Sequence, residues 1–288
     1  MYHTIQTLIV LSGGIGVGKS TILKKIESRH SYPCKAECVG ILRMPDCDIL
    51  QRFYEEKDLK SPLRLLYSMQ IQNLMSTSRF YQLVELLKTK TPICYMERFF
   101  LDDFIFASAQ YVLKTWEAFH FKLYLIDLCL KLSIFSILIP KNTIIKHIYI
   151  ISPLNVCIGR LKKRNEKTKC DQEIDEGYLK TIHDLHDYFF NIFKNSGLIV
   201  ALSEFEKKYF PLLNSNEYRK IIQELSGYNF VCEHITDVDD EEKTSIVNNL
   251  LRFFYLFNID RSLLFLTTHS SYQFTITNLF ICANPVYF

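Results

Sequence analysis

Residues 8–21 read LIVLSGGIGVGKST, in which an apolar, strand-like run leads through glycines into a stretch with helical spacing. Gly13 to Ser20 follow the pattern G-x-x-x-x-G-K-S, which is the spacing of a phosphate-binding loop. In such a loop the backbone N–H groups curl around phosphates, the lysine reaches the β and γ oxygens, and the serine hydroxyl can bind Mg²⁺. Residues 21–29 continue as a helix whose positive end faces the phosphates. The stretch therefore predicts a nucleoside triphosphate site formed by Gly13, Gly14, Gly16, Gly18, Lys19, Ser20 and Thr21.

The composition describes one large globular domain, with or without an appendage. The 288 residues are 48% apolar and 23% charged, which is enough apolar content for a sizeable core. The net charge of +3 is too small to favour nucleic acid or a membrane surface as the main partner. The nine cysteines form no C-x-x-C pair, so reduced thiols in a cytoplasmic or nuclear compartment are expected. Charges interrupt the most apolar stretch, residues 121–140, which favours a buried helix over a membrane span.

Strand-like and helix-like stretches alternate along the chain. The strand candidates are residues 7–11, 34–39, 91–96, 147–151 and 230–235. The helical candidates are residues 21–29, 48–56, 63–88, 104–132, 153–163 and 174–193. This alternation predicts an α/β fold with a parallel sheet covered on both faces, and chemistry at the carboxyl ends of its strands.

The remaining segments divide the chain further. Residues 194–230 have the mixed character of an insertion, and residues 258–288 form an aromatic tail without a clear period. The main domain is therefore expected to span residues 1–257.

Three groups of charged residues have positions that suit phosphate chemistry. Glu97 and Arg98 end the third predicted strand, where they could position a metal and stabilise phosphoryl charge, or form an ordinary surface ion pair. Glu37 follows the second strand and could accept a proton from an attacking hydroxyl, or be a simple exposed glutamate. Arg160 and Arg164 share one helix face, which suits a lid over phosphates as well as a solvated basic helix.

Taken in order, these motifs resemble those of the deoxynucleoside kinases. The order is phosphate loop, strand-end glutamate, a helix carrying glutamine and arginine, Glu-Arg, aspartate followed by Phe-Ala-Ser, and an arginine-rich lid. The resemblance covers residues 5–193 and the strand and helix within 230–257. It implies a P-loop kinase fold with about five parallel strands, and ATP- and Mg²⁺-dependent phosphorylation of a deoxynucleoside 5′-hydroxyl.

The resemblance also implies catalytic roles. The position of Glu37 matches the base that deprotonates the 5′-hydroxyl, although the family has proline and tryptophan where Cys38 and Leu42 stand here. Glu97 matches the Mg²⁺-associated glutamate, together with the loop serine. Arg98 matches the arginine at the reacting phosphoryl group, where the loop lysine, Lys19, and the two lid arginines spread the developing charge.

Further positions match the part of the family site that binds the nucleoside. Tyr54 resembles the tyrosine at the sugar 3′-hydroxyl. Gln72, seven residues before Arg79, resembles the glutamine of a pair that reads the base edge, and Gln70 competes with it for that role.

Two acidic positions are ambiguous. The base-contacting aspartate is Asp102 or Asp103, and alignment on the Phe-Ala that ends the motif favours Asp102, with Phe106 stacking on the base. The glutamate that contacts the sugar from the lid is Glu166 or Glu173.

Two other functions remain open. A nucleoside monophosphate kinase, such as a thymidylate kinase, would need a cation near the acceptor phosphate, and none follows Glu37 until Arg43. A nucleotide-binding protein that no longer catalyses would also keep the loop. A homodimer formed through the helices predicted at 63–88 and 104–132 is possible, although burial within one chain explains the same apolar pattern.

Overall fold

The computed structural model describes residues 5–44, 47–168, 174–211, 213 and 215–236. All of them fall in the first of two units into which the chain divides, Met1–Lys243. The predicted tail, residues 258–288, lies outside the described residues.

A parallel sheet lies at the centre of this unit. The described strands are β1 (Thr7–Ser12), β2 (Cys34–Lys35), β3 (Arg43–Met44), β4 (Cys47–Asp48), β5 (Ile93–Glu97), β6 (Ile144–Ile151) and β7 (Asn229–Thr236). Five of them form a sheet in the order β2-β5-β1-β6-β7 with every neighbouring pair parallel, while β3 and β4 form a separate antiparallel pair. This confirms the predicted parallel sheet.

The order of the strands explains the apolar run that opens the chain. Strand β1 is central, and its residues from Leu8 to Leu11 are all buried. A strand covered on both faces needs a continuous apolar run rather than an alternating one. The glycine loop therefore begins at the carboxyl end of the central strand.

Helices flank the sheet. Those within the described residues are α1 (Lys19–Arg29), α2 (Ile49–Glu55), α3 (Pro62–Lys88), α4 (Phe100–Val112), α5 (Ala118–Leu138), α6 (Leu154–Thr168), α7 (Glu176–Ser196), α8 (Leu198–Tyr209) and α9 (Asn216–Ser226). Local signals set several of their ends. Ser61 caps α3 by accepting from Leu63 N at 3.2 Å, ahead of a proline in the first turn. Asp175 caps α7 in the same way, 2.8 Å from Tyr178 N. None of the described helices is long and apolar enough to cross a membrane.

The helix predicted over 104–132 is two helices, and this prediction was wrong. The chain turns between α4 and α5, where Lys114 has a left-handed φ of 63°. Trp116 N donates to Gln110 O at 3.0 Å, and its indole Nε1 donates to Ser68 Oγ on α3 at 2.7 Å. This buried tryptophan anchors the turn, and apolar periodicity on both sides of the turn concealed it.

One other prediction differs from the structure, and one segment becomes clearer. The strand predicted over 34–39 is only β2, an edge strand that pairs with β5 over two residues. Residues 194–230 contain α8 and α9, which complete the aromatic core: Tyr218 on α9 is buried and donates to Leu202 O on α8 at 2.7 Å. The segment is therefore part of the packed domain.

Candidate active site

The glycine loop between β1 and α1 is closed by its own lysine. Lys19 Nζ donates to Gly13 O at 2.9 Å and to Gly14 O at 2.6 Å. Burial and the nearby Arg98 lower the pKa of Lys19 to about 8, although the carboxylates of Glu97 and Glu37 act in the opposite direction. The lysine therefore lies inside the loop, where phosphates would meet its charge.

Glycines are required where the loop touches neighbouring helices. Gly16 has a φ of +84°, and a Cβ there would lie 3.0 Å from Cys157 O on α6. A Cβ on Gly14 would lie 2.6 Å from the His183 ring of α7. His183 Nε2 in turn donates to Ile15 O at 3.1 Å. Helices α6 and α7 thus pack directly on the loop.

A hydroxyl and a carboxylate lie side by side next to the loop. Ser20 Oγ is 2.9 Å from both carboxylate oxygens of Glu97, which ends β5 and is buried. Glu37 N donates to the same carboxylate at 3.3 Å. Hard oxygen ligands of this kind suit Mg²⁺, which is usually held by one or two protein groups together with phosphate oxygens.

Glu37 is held between two arginines. Arg79 of α3 binds one carboxylate oxygen and Arg98 binds the other. Burial alone raises the pKa of Glu37, but the two guanidinium groups outweigh that effect and lower the pKa to about 2. The carboxylate is therefore ionised at neutral pH.

Arg98 occupies a strained turn directly after β5. Its φ is 60°, a left-handed conformation that is uncommon for residues other than glycine. Its N–H donates to Leu11 O at 3.0 Å, and its guanidinium donates to Gly14 O at 3.3 Å. The same guanidinium lies 4.8 Å from the centre of the Phe106 ring. Arg98 thus connects the loop, Glu37 and the aromatic ring expected to stack on a base.

The residues expected to read the base come together around Asp103. Arg79 binds the carboxylate of Asp103 with its second nitrogen, and Gln72 Nε2 donates to Asp103 O at 2.7 Å. All three side chains are buried, whereas Gln70, the alternative to Gln72, is exposed. The structure thus gathers one glutamine, one arginine and one aspartate beside Glu37.

Asp102, which the alignment favours as the base-contacting residue, lies elsewhere. It is fully buried beneath the glycine loop, where it accepts from Ser12 Oγ at 2.8 Å and from Gly13 N at 3.1 Å. Consecutive residues on a helix point about 100° apart, so Asp102 and Asp103 on α4 face different neighbours. Of the two candidates, Asp103 is therefore the aspartate that lies beside Gln72 and Arg79.

The other predicted residues are distributed around this centre. Tyr54 on α2 is buried and packs edge-on against the Tyr178 ring. Thr21 lies exposed in the first turn of α1. Arg160 Nη1 on α6 donates to Gly16 O at 3.4 Å, so one arginine of the expected lid reaches the loop.

The two candidates for the lid glutamate cannot be placed within the described part of the chain. Arg164 follows Arg160 by one turn on α6. The side chain of Glu166, further along the same helix, and the whole of Glu173 lie outside the described part of the chain. Neither glutamate is therefore located relative to Tyr54.

Sequence reasoning missed the polar residues beneath the loop. Ser12 and His147 are fully buried and lie 2.9 Å apart, Oγ to Nδ1. A signal for both exists, because each is a polar residue in a strand that is mostly apolar: Ser12 ends β1, and His147 follows Lys146 in the middle of β6.

Comparison with known proteins gives a family and a set of similar folds. The family model described as deoxynucleoside kinase matches residues 9–253. Among solved structures, the deoxyadenosine kinase from M. mycoides with dCMP and dCDP bound is 22% identical, with a TM-score of 0.55, over 85% of this chain and 98% of that chain. The same enzyme with dATP bound is 21% identical, with the same TM-score and coverage. No curated protein matches the chain in sequence.

Proposed function

Because this chain belongs to the deoxynucleoside kinase family, we propose that its site uses Glu37 to deprotonate a deoxynucleoside 5′-hydroxyl as that hydroxyl takes the γ-phosphoryl group of ATP. As a family member the protein is a phosphotransferase acting on deoxynucleosides. Neither a monophosphate kinase nor an inactive binding protein is favoured. The observation that carries the proposal is an ionised Glu37 held by Arg79 and Arg98 beside the glycine loop.

Glu37 acts as the general base. Its pKa of about 2 keeps it ionised, but it is then a weak base toward an unactivated hydroxyl. Phosphoryl transfer needs little proton removal before the new bond forms, so a weak base in the right position is sufficient. The two arginines orient the carboxylate, and the 5′-hydroxyl proton moves to its oxygen as the phosphoryl group arrives.

Cationic side chains stabilise the charge that develops on the transferred group. Lys19 lies inside the loop, and Arg98 contacts both the loop and Glu37. Arg160 reaches the loop from α6, and Arg164 lies one turn further on. Donors fixed before the reaction cost no reorganisation when charge moves, which is why such placement lowers the barrier.

Ser20 and Glu97 would hold Mg²⁺. Their oxygens are adjacent and are of the hard type that this ion prefers. When bound there, the ion neutralises part of the phosphate charge.

Gln72, Arg79 and Asp103 would bind the base edge, with Phe106 stacking on its face. Gln72 carries an amide that can both donate and accept, and the Arg79–Asp103 pair presents a donor beside an acceptor. Tyr54 would contact the sugar 3′-hydroxyl, and Glu166 would approach the sugar from the lid. In this assignment Asp103 takes the role first expected for Asp102.

The first experiment measures transfer of labelled γ-phosphoryl from ATP, with Mg²⁺, to the four deoxynucleosides and to dTMP. Transfer to one or more deoxynucleosides is expected, and it also names the preferred base. Transfer to dTMP alone would move the protein to the monophosphate kinases. Bound ATP without transfer to any acceptor would make it an inactive relative.

A homodimer formed through α5 is part of the proposal. This helix exposes apolar residues at steps of three and four, the spacing of a helix–helix seam: Phe119, Leu123, Ile126, Leu130, Ile134 and Ile137. A second copy related by a two-fold axis presents the same stripe and can cover it. Leu130→Glu should then give a monomer by light scattering, whereas Val200→Glu, at an exposed site on α8, should leave the dimer intact. A monomeric wild-type protein would exclude the dimer.

A cytoplasmic setting and a kinase domain over residues 1–257 complete the proposal. The six cysteines described, two of them buried, are free thiols, as expected in a reducing compartment. The family match to residue 253 supports a boundary near 257. A chain truncated after residue 257 should therefore keep its kinase activity, and loss of that activity would assign the tail a part in the fold or the site.

A further inference from the structure

Asp102 joins two segments that belong to different parts of the site. Its Oδ1 accepts from Gly13 N at 3.1 Å, and its Oδ2 accepts from Phe99 N at 3.3 Å. Gly13 begins the glycine loop, and Phe99 directly follows Arg98. One buried carboxylate therefore binds the backbone at the start of the loop and at the end of the arginine turn.

A chain of hydrogen bonds behind Asp102 has a fixed direction. An ionised carboxylate can only accept, so the Ser12 hydroxyl donates to Asp102 Oδ2 at 2.8 Å. The Ser12 oxygen is then free to accept, and His147 Nδ1–H donates to it at 2.9 Å. Burial lowers the pKa of His147 to about 4, so the ring is neutral, and its bond to the Ser12 oxygen places its one proton on Nδ1. Strand β6 thus supports Ser12, and Ser12 supports Asp102.

Helix α7 also packs against the carboxylate of Asp102, through His186. His186 Nδ1–H donates to Ile182 O at 2.7 Å, and its Nε2 lies 3.6 Å from Asp102 Oδ1. Burial raises the pKa of Asp102, but His186 and His147, which carry charge only in acid, and Arg98 hold it well below its usual range. The ring of His186 also packs edge-on against Phe106, 5.5 Å between centroids.

The Arg98 turn needs such support. A left-handed conformation at a residue other than glycine is strained and persists only where neighbouring contacts fix it. Here the backbone bond from Arg98 N to Leu11 O holds one side of the turn, and the bond from Phe99 N to Asp102 holds the other. Without Asp102 the turn can relax, and the guanidinium would leave Glu37 and the loop together.

We propose that Asp102 is a positioning residue that fixes the glycine loop and the Arg98 turn relative to each other. The inference rests on the proposed function, because it assigns Asp102 a role in aligning ATP and Arg98 with the acceptor. Asp102 itself touches neither substrate. It acts through Gly13 and Phe99.

The test compares Asp102→Asn with a matched control. Asparagine keeps the size of the side chain but places an NH₂ group where one carboxylate oxygen accepts. We expect kcat to fall by about 10- to 100-fold and the KM for ATP to rise, because small misplacements of reacting groups have effects of this size. The KM for the deoxynucleoside should stay close to that of the wild type, since Gln72, Arg79 and Asp103 keep their contacts.

Thr143→Val is the control. Thr143 Oγ1 is buried and donates to Ile5 O at 2.9 Å, at the other end of the central sheet. This variant also loses a buried hydrogen bond, but kcat and both KM values should not change well below its unfolding temperature. If it reproduces the kinetics of Asp102→Asn, Asp102 is merely structural and the proposal fails.

Ser12→Ala provides a second variant should Asp102→Asn not fold. It should lower kcat by less than Asp102→Asn, and the double variant should be no worse than Asp102→Asn, because both act on one unit. Unchanged kcat and KM for ATP in the variant that folds would overturn the inference. A wild-type protein that transfers no phosphoryl group would instead refute the proposed function, independently of either variant.

Discussion

The phosphate side and the nucleoside side of this site are built in different ways. The core of the phosphate side is one continuous segment, Gly13 to Ser20, closed by the bonds of the Lys19 side chain to Gly13 O and Gly14 O. The nucleoside side is assembled from residues far apart in sequence: Glu37 after β2, Gln72 and Arg79 on α3, and Asp103 on α4. A contiguous motif carries its geometry in its spacing, whereas a dispersed one depends on how helices pack.

The two sides also differ in charge. Lys19 places positive charge inside the loop, where phosphates are expected. The nucleoside side contains a compensated set, in which Arg79 lies between the carboxylates of Glu37 and Asp103. Removing one member of such a buried set leaves an uncompensated buried charge. The resulting loss of stability is larger than the stability that the intact pair contributes. The nucleoside side should therefore be more sensitive to single substitutions that change charge.

The largest effect is expected for Glu37→Gln, where the two sides meet. Loss of the general base should lower kcat by about 10²- to 10⁴-fold. ATP binding, measured by nucleotide-dependent thermal stabilisation, should persist, because the loop is unaffected. Glu85→Gln, at an exposed position paired with Lys88 on α3, is the control and should behave as the wild type. Loss of ATP binding in Glu37→Gln would show that the two sides are not separable.

Lys19→Met removes the lysine charge of the phosphate side and leaves the nucleoside side unchanged. Removing one charge that stabilises the transition state should lower kcat by about 10²- to 10³-fold. Deoxynucleoside binding, measured by calorimetry, should stay near that of the wild type. Lys24→Met, on the exposed face of α1, serves as the control. A matching loss of nucleoside affinity would contradict the division of the site.

Asp103→Asn tests base selection on the nucleoside side. The pair with Arg79 would lose its charge, and the preference among the four deoxynucleosides should shift by about 1–3 kcal/mol in kcat/KM, the range expected for a few pocket contacts. The KM for ATP should not change. Asp127→Asn, which removes a partly exposed partner of Lys131 on α5, controls for general effects. An unaltered base preference would show that Asp103 does not contact the base.

The smallest effect concerns pH and the residues beneath the loop. His147 has a pKa of about 4 in the fold, against about 6.5 in the unfolded chain. Below pH 6.5 the unfolded state therefore binds a proton on this ring that the native state does not bind. Stability should therefore fall by about 2 kcal/mol between pH 7 and pH 5 on account of this residue. His147→Asn, which can still donate to Ser12, should lose less over the same interval. Equal losses in denaturant unfolding would contradict the neutral buried ring.

Asp102 and Asp103 mark the limit of what sequence reasoning could resolve. Both residues lie in the segment that resembles the family motif, and spacing favoured the first. Which aspartate faces the nucleoside side depends on how α4 is rotated about its axis. Packing against the loop on one side and against α3 on the other fixes that rotation. The turn at Trp116 was hidden for a related reason, since its anchor is Ser68 on another helix.

The sequence by itself determined the sheet, the glycine loop and the family to which the chain belongs. Apolar runs, glycine spacing and Glu-Arg at a strand end are local patterns, and local sterics and hydrogen bonding suffice to interpret them. Only the tertiary structure decided that Glu37 lies between two arginines, that Asp103 rather than Asp102 joins Gln72, and that a buried carboxylate holds the loop to the arginine turn. Those relations join residues up to 89 positions apart, as Gly13 and Asp102 are. They exist only because packing brings separate helices and strands to one edge of the sheet.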